Sequence, residues 1–162
     1  MPTSDQQTQE RRWWMLRWGP RHDSGVLYYP GHPGEVWVDA IGEVVPFLVS
    51  TGDFAPADMQ YRMHREHLWD SQAGLYGEAY NVDSGTWVRQ APTASGNAKA
   101  ALGIAQALRE GGETTPAEMR GRWQRETRDL MEAMRDLALD AEAAALLTQA
   151  LLIAREDGWL ES

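Results

Sequence analysis

Cysteine is absent from the chain of 162 residues. No disulfide framework, thiolate nucleophile or zinc–thiolate site can be built from it. Lysine is almost absent as well: Lys99 is the only one, and arginine carries nearly all of the positive charge. No apolar run is long enough to span a bilayer, and the N-terminal residues are polar and lack the pattern of a signal peptide. A cytoplasmic location without membrane attachment is therefore expected. Basic charge is in deficit, with 15 basic against 24 acidic side chains and a net charge of -9. Such a balance argues against a nucleic-acid backbone or an anionic lipid surface as the main partner. An anionic small molecule remains compatible, because one local arginine can hold one carboxylate.

What is present suffices for a folded domain. Hydrophobic residues make up 43% of the chain, enough for a core at this length. Residues 1–20 form a polar and then Trp/Arg-rich N-terminal segment, and residues 21–162 a single helical domain. The first ten residues read as disordered. The segment RRWWMLRW at 11–18 interleaves tryptophan with arginine, a pattern that suits tryptophans packed on the domain beside snorkelling arginine stems. GVLYY at 25–29 reads as extended and PGHPG at 30–34 as a turn.

From Glu35 to Ser50 the spacing predicts a helix, with Val38, Ile41, Val45 and Leu48 on one stripe and Trp37, Ala40, Val44 and Phe47 on a second. More than half of its circumference is apolar, the mark of a helix buried on several sides. Pro46 should kink it. A second helix is expected over Pro56–Trp69, and SQAGLYGEAY and TWVRQ, joined by VDSG, read as a hairpin. A third helix begins near Ser95 and stops at Gly111-Gly112. Thr115-Pro116-Ala117-Glu118 starts a fourth that runs to about Leu137. The last covers about Asp140 to Arg155.

The polar strip left on the buried helix holds Glu35, Asp39, Gly42 and Glu43. A carboxyl hemmed in by like charges and apolar walls gains proton affinity, as a general acid working near neutrality requires. Asp39 is therefore the candidate acid, although three acids so spaced also describe an ordinary solvated face. His64 and His67, with Asp70 after them, would need a third ligand and a second shell to hold a metal; a substrate contact or a core hydrogen bond suits them better. Glu78 and Arg89 flank the hairpin, as a cleft pair or a surface ion pair. Trp37, Tyr76, Tyr80 and Trp87 could stack on sugar rings or simply fill the core. Ser95-Gly96-Asn97 opens a helix that could receive an anion or simply be capped.

At VWVDAIGEVVPFL (36–48) and HLWDSQAGLYGEAYN (67–81) the chain resembles glycoside hydrolase families 88 and 105. Gly25, Trp37, Asp39, Pro46, Phe47, His67, Gly74, Leu75, Tyr76, Trp87 and Arg89 follow the family order at similar spacing, over about residues 21–108, and GWLES at 158–162 is similar to a further family motif. Three positions depart from the pattern: Glu78, Tyr80 and Asn81 stand where the family has histidine, tryptophan and aspartate. After Arg89 the segment QAPTASGNAKAAL replaces a family stretch that contains tryptophan.

The resemblance implies an all-α fold, part of an (α/α)6 barrel of helical hairpins with one small β-hairpin. It implies hydration of an unsaturated uronyl sugar, with Asp39 as general acid/base. It also implies a binding set of Trp37, Glu43, His67, Tyr76, Glu78, Trp87 and Arg89, with no metal and no organic cofactor. A full barrel takes about twice this length, so a homodimer that covers the open helix row is expected. Two alternatives stand beside the hydrolase. One is the same scaffold turned to cyclisation or isomerisation of another small molecule in a biosynthetic pathway, and the other is a non-catalytic assembly protein.

Overall fold

A computed structural model describes residues 3–160; the first two residues of the chain, and the last two of the GWLES segment, lie outside the described residues. Six α-helices carry the chain: α1 (Ser4–Trp13), α2 (Asp39–Ser50), α3 (Phe54–Leu68), α4 (Ala94–Gly111), α5 (Ala117–Ala133) and α6 (Ala141–Glu156). Five short strands lie between them: β1 (Glu35–Trp37), β2 (Trp69–Asp70), β3 (Leu75–Tyr76), β4 (Ala79–Asn81) and β5 (Thr86–Arg89).

Helix α4 is the axis of the assembly. Gly96 to Ala105 are buried except for Lys99, so almost every side of its first three turns meets protein. Such all-round burial is what a central helix requires. It packs against α2 on one side and α6 on the other, with α5 behind it and α3 behind α2. Thus α2, α4 and α6 stand in one row, backed by alternate helices of the chain.

The α2–α4 contact depends on glycine. A β-carbon added at Gly42 would stand 2.6 Å from the carbonyl oxygen of Lys99. One added at Gly103 would collide with the α-carbon of Gly42, and one at Gly96 with Val38. Pro46 lies inside α2 and has no N–H for the carbonyl four residues back, that of Gly42. Gly103 approaches this same carbonyl, to 2.8 Å from the position its β-carbon would take. A weak Cα–H contact there rationalises both residues.

Two expectations are corrected. The N-terminal segment is helical from Ser4: Thr3 and Gln6 form a reciprocal capping box, and Arg12 grips Asp53 through two hydrogen bonds of 2.6 and 2.7 Å. Residues 35–37, read as the first turn of a helix, are instead β1. That strand pairs with β4 (Val36 opposite Tyr80), and β4 pairs with β5 (Tyr80 opposite Trp87). Three residues, Glu35-Val36-Trp37, are too few to distinguish the two periods, and the pairing with β4 decides the outcome. The strands β2 and β3 make a separate two-stranded ribbon. Asn97, fully buried at the start of α4, ties β3 to the helix: its side chain accepts from the Tyr76 N–H at 2.8 Å and donates to the Tyr76 carbonyl at 3.0 Å.

His64 of α3 is buried beside this core, donating from Nδ1 to the Gln60 carbonyl at 2.8 Å while Nε2 has no partner. Burial lowers its pKa from 6.5 to about 4. The unfolded chain takes up a proton near 6.5 and the folded chain only near 4, so stability is full above pH 6.5 and falls as pH drops toward 4. The loss approaches about 3 kcal/mol. Denaturant titrations at pH 7 and pH 4.5 should show this step, and His64→Leu should remove most of it.

Candidate active site

Asp39 is the first residue of α2, directly after β1, and its carboxylate is half-buried. The neighbour it meets is a cation: Lys99 Nζ donates to Asp39 Oδ1 at 3.0 Å. The crossing at Gly42 and Gly103 sets this meeting. Asp39 lies one turn before Gly42 and Lys99 one turn before Gly103, so the closest approach of the two backbones brings the side chains together. The hydrogen bond to Asp39 holds the Lys99 ammonium above the usual lysine range, against the cost of partial burial, and Glu142 at the start of α6 adds to it. Glu43 lies one turn further along α2 and is exposed.

Glu35, expected on the same strip as Asp39, sits on β1 and serves other partners. Its Oε2 accepts from Trp37 Nε1 at 2.9 Å and lies 3.2 Å from His32 Nδ1. With these two it fixes an aromatic triad: Trp37 and His32 have ring centroids 5.0 Å apart, and Tyr29 lies 5.5 Å from Trp37 and 5.8 Å from His32. Burial raises the Tyr29 hydroxyl above its ordinary pKa, with Glu43 and Asp39 adding to the shift and Lys99 opposing it.

The sheet separates the remaining candidates. Trp37 is opposite Ala79, and Ala79 opposite Arg89, across a bulge that places one extra residue, Val88, in β5. Bulges of this kind re-aim side chains. Here Arg89 comes over the Trp37 ring at 5.4 Å and pairs with Glu78 at 3.4 Å. Val36, Tyr80 and Trp87 occupy the opposite face, where His67 stacks on Tyr80 at 5.5 Å and Trp87 covers Gly77. Burial lowers the pKa of His67.

Tyr76 belongs to the core: it is 2% exposed, and its hydroxyl accepts from Arg65 at 2.9 Å. Its ring and hydroxyl are thus taken up by the core, away from the surface where a ligand was expected to meet it. His64 and His67 part company in the same way, one in the core and one in the stack, while Asp70 caps its own turn by accepting from the N–H groups of Gln72 and Ala73. The start of α4 is a capped end: Thr93 Oγ1 accepts from the Gly96 N–H at 3.2 Å.

Of the expected set, Trp37, Glu78 and Arg89 meet at the sheet, while Asp39 and Glu43 lie on α2. Lys99, Tyr29 and His32 join them without having been singled out. Only the uniqueness of Lys99 was visible as a signal.

Solved structures with the same course of helices are glycoside hydrolases or their possible relatives. A possible member of glycoside hydrolase family 105 from Salmonella enterica superposes with a TM-score of 0.80 at 17% identity, covering 96% of this chain and 48% of that one. The chain shares the family-105 fold. A possible member from Klebsiella pneumoniae gives 0.79 at 16% identity over 96% and 48%. The family-105 glycoside hydrolase from C. acetobutylicum gives 0.75 at 14% identity over 88% and 49%. The chain spans about half the length of each of these structures. No family model and no curated protein matches its sequence. No helix among the described residues is long and apolar enough to cross a membrane.

Within this family-105 fold, the positioning of Asp39 against Lys99 rests on the absence of a side chain at residue 103. Gly103→Ala should force α2 and α4 apart and cost about 1–3 kcal/mol, the usual penalty of overpacking. Urea unfolding would measure it, and an unchanged midpoint would mean that the two helices do not meet as described.

Proposed function

We propose that the chain is a small hydrolase or hydratase-like enzyme that acts on an unsaturated uronyl sugar through general acid/base catalysis by Asp39. The observation that carries this reading is the 3.0 Å pairing with Lys99 of Asp39, which lies two residues along the chain from Trp37 of the aromatic triad. A lysine ammonium has three donors. One is used on Asp39, which leaves two for the carboxylate of a uronyl group, and Lys99 is 40% exposed and open to such a ligand. Trp37 offers a ring face for the sugar.

In the reaction so read, Asp39 relays a proton from the attacking water to ring carbon C4. The hydroxide adds to C5, the double bond is consumed, and the hemiketal formed opens to release the linked group. Likeness to family-105 structures supports the scaffold, and the acid–lysine pair supports the chemistry.

A second reading, the same pair acting on a different small molecule by cyclisation or isomerisation, is favoured by one observation. Arg89, a member of the expected sugar-binding set, is tied to Glu78 at 3.4 Å and so already has a partner.

Incubation with unsaturated uronyl disaccharides, followed by loss of the enol-ether absorbance, tests the first reading. Asp39→Asn should lower the rate about 100-fold or more, the scale of a lost general acid/base. Lys99→Met should lower it at least about tenfold while shifting stability by about 1 kcal/mol or less, as for other exposed ion pairs. Absence of turnover by well-folded wild-type protein would retire the sugar reading in favour of the second.

A further inference from the structure

The row of α2, α4 and α6 is covered at one edge by the chain itself. On α2, Ala40, Glu43, Val44 and Phe47 lie on the side away from Gly42, the residue that meets α4. The N-terminal helix and the π-helical turn Trp14–Trp18 that ends it lie over this side. Trp14 and Met15 line a cavity with Ala40, Glu43 and Val44, and Arg11 stacks over Phe47 at 4.4 Å.

Helix α6 forms the other edge. It buries Ala143, Leu147, Ala150 and Ala154 toward α4. At 3.6 residues per turn, Ala141, Ala145, Thr148, Leu152 and Arg155 stand on the opposite side, and all five are exposed. Leu152 is 55% exposed, the most of any large apolar side chain described outside the N-terminal segment. The small residues around it leave room for a close neighbour.

Charge selects that neighbour. The start of α6 is acidic, with Asp140 at the N-cap and Glu142 in the first turn. At its end, Glu156 and Asp157 are held by Arg109 at 2.7 and 3.2 Å. Arg155, in the last turn, pairs with no other charge among the described residues. The helix is thus negative where it begins and has a spare cation where it ends, so its electrostatic complement is an antiparallel copy of itself.

We propose that two copies of the chain pair through α6, antiparallel about a two-fold axis near Thr148. Leu152 of each copy then packs over Ala145 of the other, and each Arg155 meets Asp140 of the other. Such a contact uses one patch twice and stops at two copies. One helix from each side makes a small interface, below about 1,200 Å² in total, so the dimer forms and parts with protein concentration. The pairing is independent of the sugar reading.

Sedimentation velocity of the full chain over about a hundredfold range of concentration tests this. Wild type should pass from monomer to dimer and no further. Leu152→Glu should raise the dissociation constant about a hundredfold or more, because each dimer loses two buried leucines. Arg155→Glu should raise it severalfold by setting like charges opposite Asp140 and Glu142. Adding Asp140→Asn and Glu142→Gln to that variant should recover most of the loss, since asparagine keeps the N-cap. Arg155 is exposed, so its variants carry the test if Leu152→Glu proves unfolded by circular dichroism. A wild type that stays monomeric throughout would overturn the proposal, as would growth beyond two copies. A dimer indifferent to Leu152→Glu and Arg155→Glu would place the contact elsewhere, and failure of the triple variant to recover would overturn the antiparallel register.

Discussion

Contact between two helix backbones governs the candidate site. Side chains normally set the spacing of packed helices, and where α2 and α4 cross, Gly42 and Gly103 present none, so backbone meets backbone. Hydrogen-bonding cost sets the next constraint: Pro46 leaves the Gly42 carbonyl without its helical donor, and Gly103 comes up against that carbonyl. The ion pair of Asp39 and Lys99 follows from this crossing, since each residue stands one turn ahead of the glycine that makes it. Function, on this reading, is carried by residues whose placement was settled by packing.

Charge follows a similar economy. The chain carries a net charge of -9 and a single lysine, and that lysine sits against the carboxylate with the best claim to chemistry. Arginines do the structural work elsewhere. Arg12 holds α1 to Asp53, Arg65 lies 3.7 Å from the Trp69 ring and donates to Tyr76, and Arg109 joins α4 to Glu156 and Asp157. A planar guanidinium suits such bidentate and stacked roles, whereas the ammonium of Lys99 is a compact point charge on a flexible stem.

Much of the fold was legible because the signals were local. Pro116 and Gly112 bracket helices as expected, and α3, α4 and α6 begin and end within a few residues of their sequence boundaries. What escaped was set by distant partners. Residues 35–37 become a strand only because Ala79–Asn81 lie beside them. The N-terminal helix is polar and looked disordered until Arg12 found Asp53, 41 positions away. Asp39 was identified from its own neighbourhood, but its partner lies 60 positions further on, and one sequence offers no way to pair them. Tyr76 shows the converse: an aromatic in a motif suggests a platform, whereas burial makes this one a core residue.

Lys99 has one more consequence. Apart from the terminal amine of the chain, it is the single primary amine in the molecule, and it sits at the candidate centre. An amine-selective reagent therefore addresses one side chain here without any engineering. The hydrogen bond to Asp39 keeps that amine protonated and slow to react, and anything lodged over it would shield it further, so the labelling rate becomes an occupancy gauge for a site whose ligand has yet to be found.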